Sequence, residues 1–496
     1  YKNDLARSGQ NLTESTLTPA NVNSATFGKL RVLATDGKVD AQPLYLSALA
    51  ITGATHNVVF VATENDTVYA FGADSGAILW QKSLLGSGEV PSDDRGCGQV
   101  TPTIGITATP VIDRSAGAHG VIYLVAMSVA SAGGTYHQRL HALDVTSGAE
   151  LSGGPAEIAA VYPASGGGSN TFEAGSYEER AALLLSNGVI YTSWTSHCDN
   201  APYTGWIIAY AATTLAQTAV LNVAPNSAGG GPAIWMAGGG PATDSAGNIY
   251  LLTANGLFEP TLVNGFPSGG DYGNSFLKIS TTGGTLTVAD YFTMSNEVSE
   301  SNMDQDLGSG GAMLLPDMTD SGGTTRHLAL GAGKDGSIYV VNRDSMGKFS
   351  ASANNIWQQL GSGGGVWSTP AYFNGTVYYG PVGAPLEAFP VSGAQLASSP
   401  ASRSAGSFAY PGTAPAVSAS GSANGIVWAY ENSGSGAAVL HAYDASNLAH
   451  ELYNSTMAAS SRDSFGSGNK FITPTIADGK VFAGTTSGVA VFGVLQ

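Results

Sequence analysis

Val58-Val59-Phe60-Val61-Ala62-Thr63, Glu64-Asn65-Asp66, Thr67-Val68-Tyr69-Ala70-Phe71, Asp74-Ser75-Gly76, Ile78-Leu79-Trp80: residues 58–80 read as strand, tight turn, strand, tight turn, strand. The apolar runs are short, β-branched or aromatic, and bounded by turn residues, which is how strands look in a sequence. Weaker copies follow to the end of the chain. Thr109-Pro110-Val111-Ile112-Asp113 leads to Gly120-Val121-Ile122-Tyr123 and then Ala142-Leu143-Asp144. Asn187-Gly188-Val189-Ile190-Tyr191, Gly247-Asn248-Ile249-Tyr250, Asp335-Gly336-Ser337-Ile338-Tyr339 and Asn374-Gly375-Thr376-Val377-Tyr378 repeat the middle of the phrase. Pro415-Ala416-Val417 and Thr473-Pro474-Thr475-Ile476 open two further copies. Asn-Gly and Asp-Gly suit the mirror-image turns of tightly paired antiparallel strands.

Short strands recurring roughly every 50 to 60 residues, almost without helical periodicity, predict an all-β, single β-propeller. Counting Pro43-Leu44-Tyr45 as the first inner strand gives eight blades, with seven as the alternative. The last unit, 480–495, lacks an outermost strand, while Phe27 to Leu33 is a strand without a blade. Pairing the two closes the ring and hides an open edge. The chain thus divides into an N-terminal extension, 1–26, and a propeller, 27–496.

Composition narrows the partners. With 19 Lys and Arg against 36 Asp and Glu, the formal charge is −17. That balance excludes a cationic face for nucleic acid or anionic membrane. No apolar run is long enough to span a bilayer. Only 11% of residues are charged, so Ser, Thr, Gly and Asn must cover the surface. This composition, and a start at Tyr1 like that of a processed chain, predict a secreted, extracellular or cell-surface protein, with the periplasm as an alternative. The two cysteines, Cys97 and Cys198, are expected to form a disulfide in that setting.

The first copy resembles the repeat of pyrroloquinoline-quinone-type (PQQ-type) propellers. The carriers are Tyr69-Ala70-Phe71, Asp74-Ser75-Gly76 and Leu79-Trp80, with partial matches at Ala142-Leu143-Asp144 and Ala442-Tyr443-Asp444. The resemblance implies eight blades. The superfamily holds quinone-dependent alcohol dehydrogenases, with quinone and calcium over the channel, and propellers without cofactor, such as outer-membrane assembly lipoproteins. Cys97 and Cys198 are far apart, unlike the adjacent cysteines of those enzymes, and no segment matches their calcium-ligand run or catalytic Asp. The expectation is therefore a bacterial, non-catalytic binding or assembly protein without a cofactor. Its partners would be copies of itself or an extracellular polysaccharide. The alternatives are a PQQ- and calcium-dependent oxidoreductase acting on alcohols or sugars, and a polysaccharide hydrolase or lyase.

Four departures from the repeat offer candidate site residues. Asp93, Asp94 and Arg95 suit a cation or a polyol. Glu178 and Arg180 suit sugar hydroxyls or general acid chemistry. In Trp194 to Asn200, His197 can exchange protons near neutrality with Asp199 to orient it, and Trp194, Tyr203 and Trp206 suit stacking on a sugar ring. Asp271, Asp304 and Asp306 are the candidate metal ligands, because alternating acids resemble a calcium loop.

Overall fold

In the computed structural model, which describes residues 1–151, 153–227, 229–432 and 436–495, eight sheets of at least four strands, antiparallel but for one short parallel pair in each of two, follow one another along the chain. Blade one is Leu44–Ile51, Ala54–Ala62, Thr67–Gly72 and Ile78–Ser83. The inner strands of blades two to seven begin at Val111, Leu184, Ala242, Met313, Ala371 and Ala416. Blade eight is Thr475–Ala477, Lys480–Thr485 and Gly488–Val494, and its fourth strand is Phe27–Ala34. Phe27 pairs with Val494 and Ala34 with Gly488, so the N-terminal strand closes the ring as expected. One short α-helix, Glu297–Asn302, interrupts the β-structure of the described residues.

The opening phrase is apolar throughout because each blade is buried on both faces. Successive side chains of a strand point to opposite faces. Val58, Phe60, Val68 and Ala70 pack with Ile122, Leu124 and Leu143 of blade two. Val59, Val61, Tyr69 and Phe71 pack with Phe482, Val489 and Val491 of blade eight, and with Leu33. The other large clusters join the remaining neighbours in turn, such as Tyr123 and Leu140 with Trp194 and Trp206, or Trp428 with Phe492. Each blade thus supplies its neighbour's core.

Residues 1–14 cross the ring axis. The carbonyls of Leu5, Ala6, Ser8 and Gly9 accept from the amides of Thr243, Leu314, Tyr372 and Val417, on blades four to seven. Lys2 and Arg7, both almost fully buried, reach inner-strand carbonyls. Lys2 Nζ donates to Thr369 O (2.8 Å), Pro370 O (2.9 Å) and Pro415 O. Arg7 donates to Pro241 O (2.9 Å) and Leu183 O (3.3 Å). Glu14 accepts from the Gly479 amide at the foot of blade eight. The repeated Pro at the head of the inner strands has no amide to donate. It still offers a carbonyl, and a ring of such carbonyls favours cations. This plug divides the axis into an upper cavity and a lower vestibule.

Candidate functional site

The segments that lead into the inner strands converge on one cavity of about 310 Å³. Glu178 and Arg180 precede the inner strand of blade three, Trp235 and Ala237 that of blade four, and Asp304, Asp306 and Ser309 that of blade five. Trp367, Tyr410 and Phe471 precede those of blades six, seven and eight. Residues so placed around the ring meet only on its axis, above the plug. Lys334, Cys198, Asp199, Gln99 and Val100 complete the wall. Concave, aromatic-walled sites with a few convergent polar groups are where small molecules bind.

Lys334 Nζ bridges Asp304 Oδ1 (2.9 Å) and Asp306 Oδ2 (2.6 Å). Burial raises the Asp306 carboxyl above the usual range against the pull of Lys334. Burial works against the Lys334 ammonium, yet Asp306 and Asp304 hold its pKa above the ordinary value. Asn255 ties the same acids together, its amide to Asp306 (2.8 Å) and its Nδ2 to Asp304 (3.0 Å). On the opposite wall, Arg180 lies 3.7 Å from Glu178 Oε1, and its guanidinium sits 5.3 Å from the Phe471 ring centre. Buried Arg180 Nη1 and Glu178 Oε1 have no hydrogen-bond partner within the chain. Such atoms need a water or a ligand.

The sequence candidates separate in the fold. Glu178, Arg180, Asp199, Asp304 and Asp306 share this cavity. His197 is buried behind it, with Nδ1 3.5 Å from Glu178 Oε2. Asp199 does not orient His197: it accepts from the Tyr203 hydroxyl (2.9 Å) and the Ser196 hydroxyl (3.3 Å). Trp194 and Trp206 are fully buried between blades two and three, so neither has a face for a sugar; their alternation in strands buried on both sides puts them there. Tyr203 is buried in the same cluster. Arg95 lies over the Tyr136 ring (4.0 Å) and donates to Gly175 O. Asp93 accepts from the Tyr136 hydroxyl, and Asp94 caps its own turn at Gly96. Asp271 pairs with Asn226 (2.8 Å), apart from Asp304 and Asp306. Among the described residues, no three His, Cys, Asp or Glu side chains form a ligand group for a metal ion.

Cys97 and Cys198 are joined, with their Cα atoms 5.5 Å apart. The bridge ties the loop of Asp93 to Arg95 onto the cavity wall beside Asp199. Sequence reasoning missed Lys334, Asn255, Trp235, Trp367, Tyr410 and Phe471. A signal was present: several of these stand a few residues before the inner strand of their repeat, the phase already occupied by Glu178 and Arg180.

No protein-family sequence profile matches the chain, and no curated protein sequence does. Solved structures do match its fold. The quinohemoprotein alcohol dehydrogenase of Comamonas testosteroni is 15% identical, with a TM-score of 0.60 over 99% of this chain and 79% of that one. Quinohemoprotein alcohol dehydrogenase ADHIIG of Pseudomonas putida HK5 gives 13% identity and 0.59, with the same coverage. The computationally designed protein Ika8 gives 10% and 0.50, over 94% of this chain and 99% of that one. The chain is an eight-bladed β-propeller, a fold that it shares with the two quinohemoprotein alcohol dehydrogenases.

Proposed function

We propose that the protein is an oxidoreductase that holds a flat, carboxylated quinone of the pyrroloquinoline type in the upper cavity. The observation that carries this reading is the pairing of aromatic walls with Arg180, whose Nη1 makes no hydrogen bond in the chain and lies 3.9 Å from Asp40. Trp235, Trp367, Tyr410 and Phe471 would stack on or border the ring, and Arg180, through its unbonded Nη1, would hold a carboxylate. The volume of about 310 Å³ suits a ligand of that size. When bound, such a quinone accepts the hydride of an alcohol carbon. The likeness to two quinohemoprotein alcohol dehydrogenases supports the reading at the level of fold.

Calcium does not fit the acids as they are arranged. Lys334 pairs with Asp304 and Asp306, and Arg180 with Glu178. The test is a titration of purified protein with the quinone, with and without calcium, followed by absorbance and by dye reduction on a panel of alcohols and sugars. A saturable spectral change with substrate-dependent dye reduction is expected; neither signal under either condition sinks the reading.

Binding of a partner chain or polysaccharide is the second reading. It is favoured by the vestibule of about 690 Å³ below the plug, edged by the exposed Leu5 and Leu12 and by Leu44, Leu46 and Ile476. Substituting Leu5 and Leu12 by Ser tests it, because assembly or glycan retention would then fall without change at the upper cavity.

A further inference from the structure

A groove of about 490 Å³ lies away from the ring axis, on the seam between blades three and four. Leu221 comes to it from the last strand of blade three, Gln217–Asn222, and Val288 from the fourth strand of blade four, Thr287–Thr293. Two hairpins outside the repeat wall it: Val161–Pro163 with Ser169–Thr171, and Leu262–Val263 with Phe266–Pro267. Asn226 ties the two together. Its Oδ1 accepts from the amide and the hydroxyl of Ser165 (2.9 and 2.8 Å), and its Nδ2 donates to Gly269 O (2.7 Å) and Asp271 Oδ2 (2.8 Å). The spacing of the walls is thus set before a ligand arrives. No side chain of the wall is charged. The charges behind it are occupied: Asp271 accepts from the Asn226 amide and Nδ2, Glu259 accepts from the Thr261 amide, and Lys348 lies over the Phe266 ring (3.6 Å). The wall offers rings and hydroxyls instead. Tyr272 is 6% exposed, yet its hydroxyl makes no hydrogen bond among the described residues. A buried tyrosine hydroxyl ordinarily finds a partner, so whatever fills the groove must supply it. The half-buried Tyr162 has an equally unpaired hydroxyl, and its ring stacks on no other among the described residues. Burial raises both phenols above the ordinary tyrosine range, so each stays neutral, a donor and an acceptor at once.

We propose that this groove binds a neutral polysaccharide: the C–H face of a sugar ring lies on the Tyr162 ring, and a sugar hydroxyl pairs with the hydroxyl of Tyr272. A pyranose carries an apolar face and neutral hydroxyls, the two features that these walls complement. A phosphate or carboxylate finds no free cation there, and the net charge of −17 repels anionic polymers. An extended peptide needs a row of backbone donors and acceptors for its own amides, whereas Tyr162 and Tyr272 each present a single two-way hydroxyl. Pro163, Ser165 and Thr287 on the rim are exposed, so a long chain can cross the groove without threading. The site rests on neither reading of the ring axis, because it shares no residue with the upper cavity or the vestibule.

The test is calorimetric titration of the full chain with linear hexasaccharides of glucose, mannose and xylose. At least one should bind saturably at millimolar concentration or below. Tyr162→Ala should weaken that binding about tenfold, through the lost stacking surface. Tyr272→Phe should weaken it about fivefold, through the lost hydrogen bond. The second variant keeps the ring and removes a hydroxyl that is unpaired in the chain, so its thermal midpoint should equal that of the wild type, and it decides the matter if Tyr162→Ala does not fold. Failure of all three sugars to bind, or equal affinity in the wild type and Tyr272→Phe, overturns the proposal. Binding of casein hydrolysate peptides that Tyr272→Phe loses, with no sugar bound, overturns it in favour of a peptide.

Discussion

The ammonium of Lys2 donates to the carbonyl of Pro415, so the second residue of the chain is locked onto the inner strand of the seventh blade. The same ammonium serves Thr369 and Pro370 on blade six. Lys2→Met leaves three buried carbonyls without their donor. With about 1 to 3 kcal/mol for each buried group left unpaired, partly recovered by entering water, a loss of about 3 kcal/mol is expected. Urea unfolding should show the midpoint fall with an unchanged slope; an equal midpoint would mean that the plug does not stabilise the ring.

Ring closure predicts a second outcome. Gly488 has φ +149°, and a Cβ there would stand 2.1 Å from the Leu33 carbonyl oxygen. Gly488→Ala should therefore part the closing strands, at about 3 kcal/mol or more. The expected signs are a lowered thermal midpoint and concentration-dependent association through the freed edge. A monomer of wild-type stability would refute the closure.

The Cys97–Cys198 bridge spans a sequence separation of 101. Replacing both cysteines by Ser should cost about 5 kcal/mol in the loop-entropy model. Because Cys198 and Asp199 lie on the cavity wall, quinone affinity should fall as well. Stability lost with affinity retained would make the bridge purely structural.

The pH dependence has two parts of the same sign. His441 sits between Glu451 (2.7 Å) and Glu431 (3.1 Å). Burial disfavours its charge, but bonds to Glu431 and Glu451 outweigh that and raise its pKa. A raised histidine adds stability that is full below its unfolded value, near 6.5, and lost as pH rises through the folded value. Burial also raises the Glu179 carboxyl well above the usual range. That stability too is present at low pH and lost as pH rises above the unfolded carboxylate range. His441→Gln should flatten the slope of stability above pH 6. Glu179→Gln, which keeps the oxygen that accepts from the Ser193 amide, should flatten it from about pH 4 upward. Denaturant midpoints across pH check both signs, and a wild-type slope in either variant removes that group from the account.

Eight blades and the closing strand were legible because strand period, turn residues and repeat length are local properties, as residues 58–80 illustrate. The disulfide was legible from composition. The upper cavity was legible only in part. Glu178, Arg180, Asp199, Asp304 and Asp306 drew notice as charges inside insertions. Lys334 and Trp235 did not, since a single Lys before Asp335-Gly336 reads as an ordinary turn. Glu178, Arg180, Trp235, Asp304 and Asp306 share a place before an inner strand, Asp199 and Lys334 a place between the second and third strands of their blades, and the ring converts those sequence phases into nearness. Trp194 and Trp206 misled for the complementary reason: an aromatic beside a His reads as a binding surface until the neighbouring blade covers it.

The strand pairing of residues 27–34 with 488–494 also sets an order of events during synthesis. The strand 27–34 is made before all the other strands of blades one to eight and is among the last to find its partner. Until Gly488 to Val494 have been made, every earlier blade exists in an open arc with two unprotected ends. An open arc of this length presents sheet edges and apolar blade faces to the cell. The chain should therefore lean on chaperones more than its short, locally connected blades suggest.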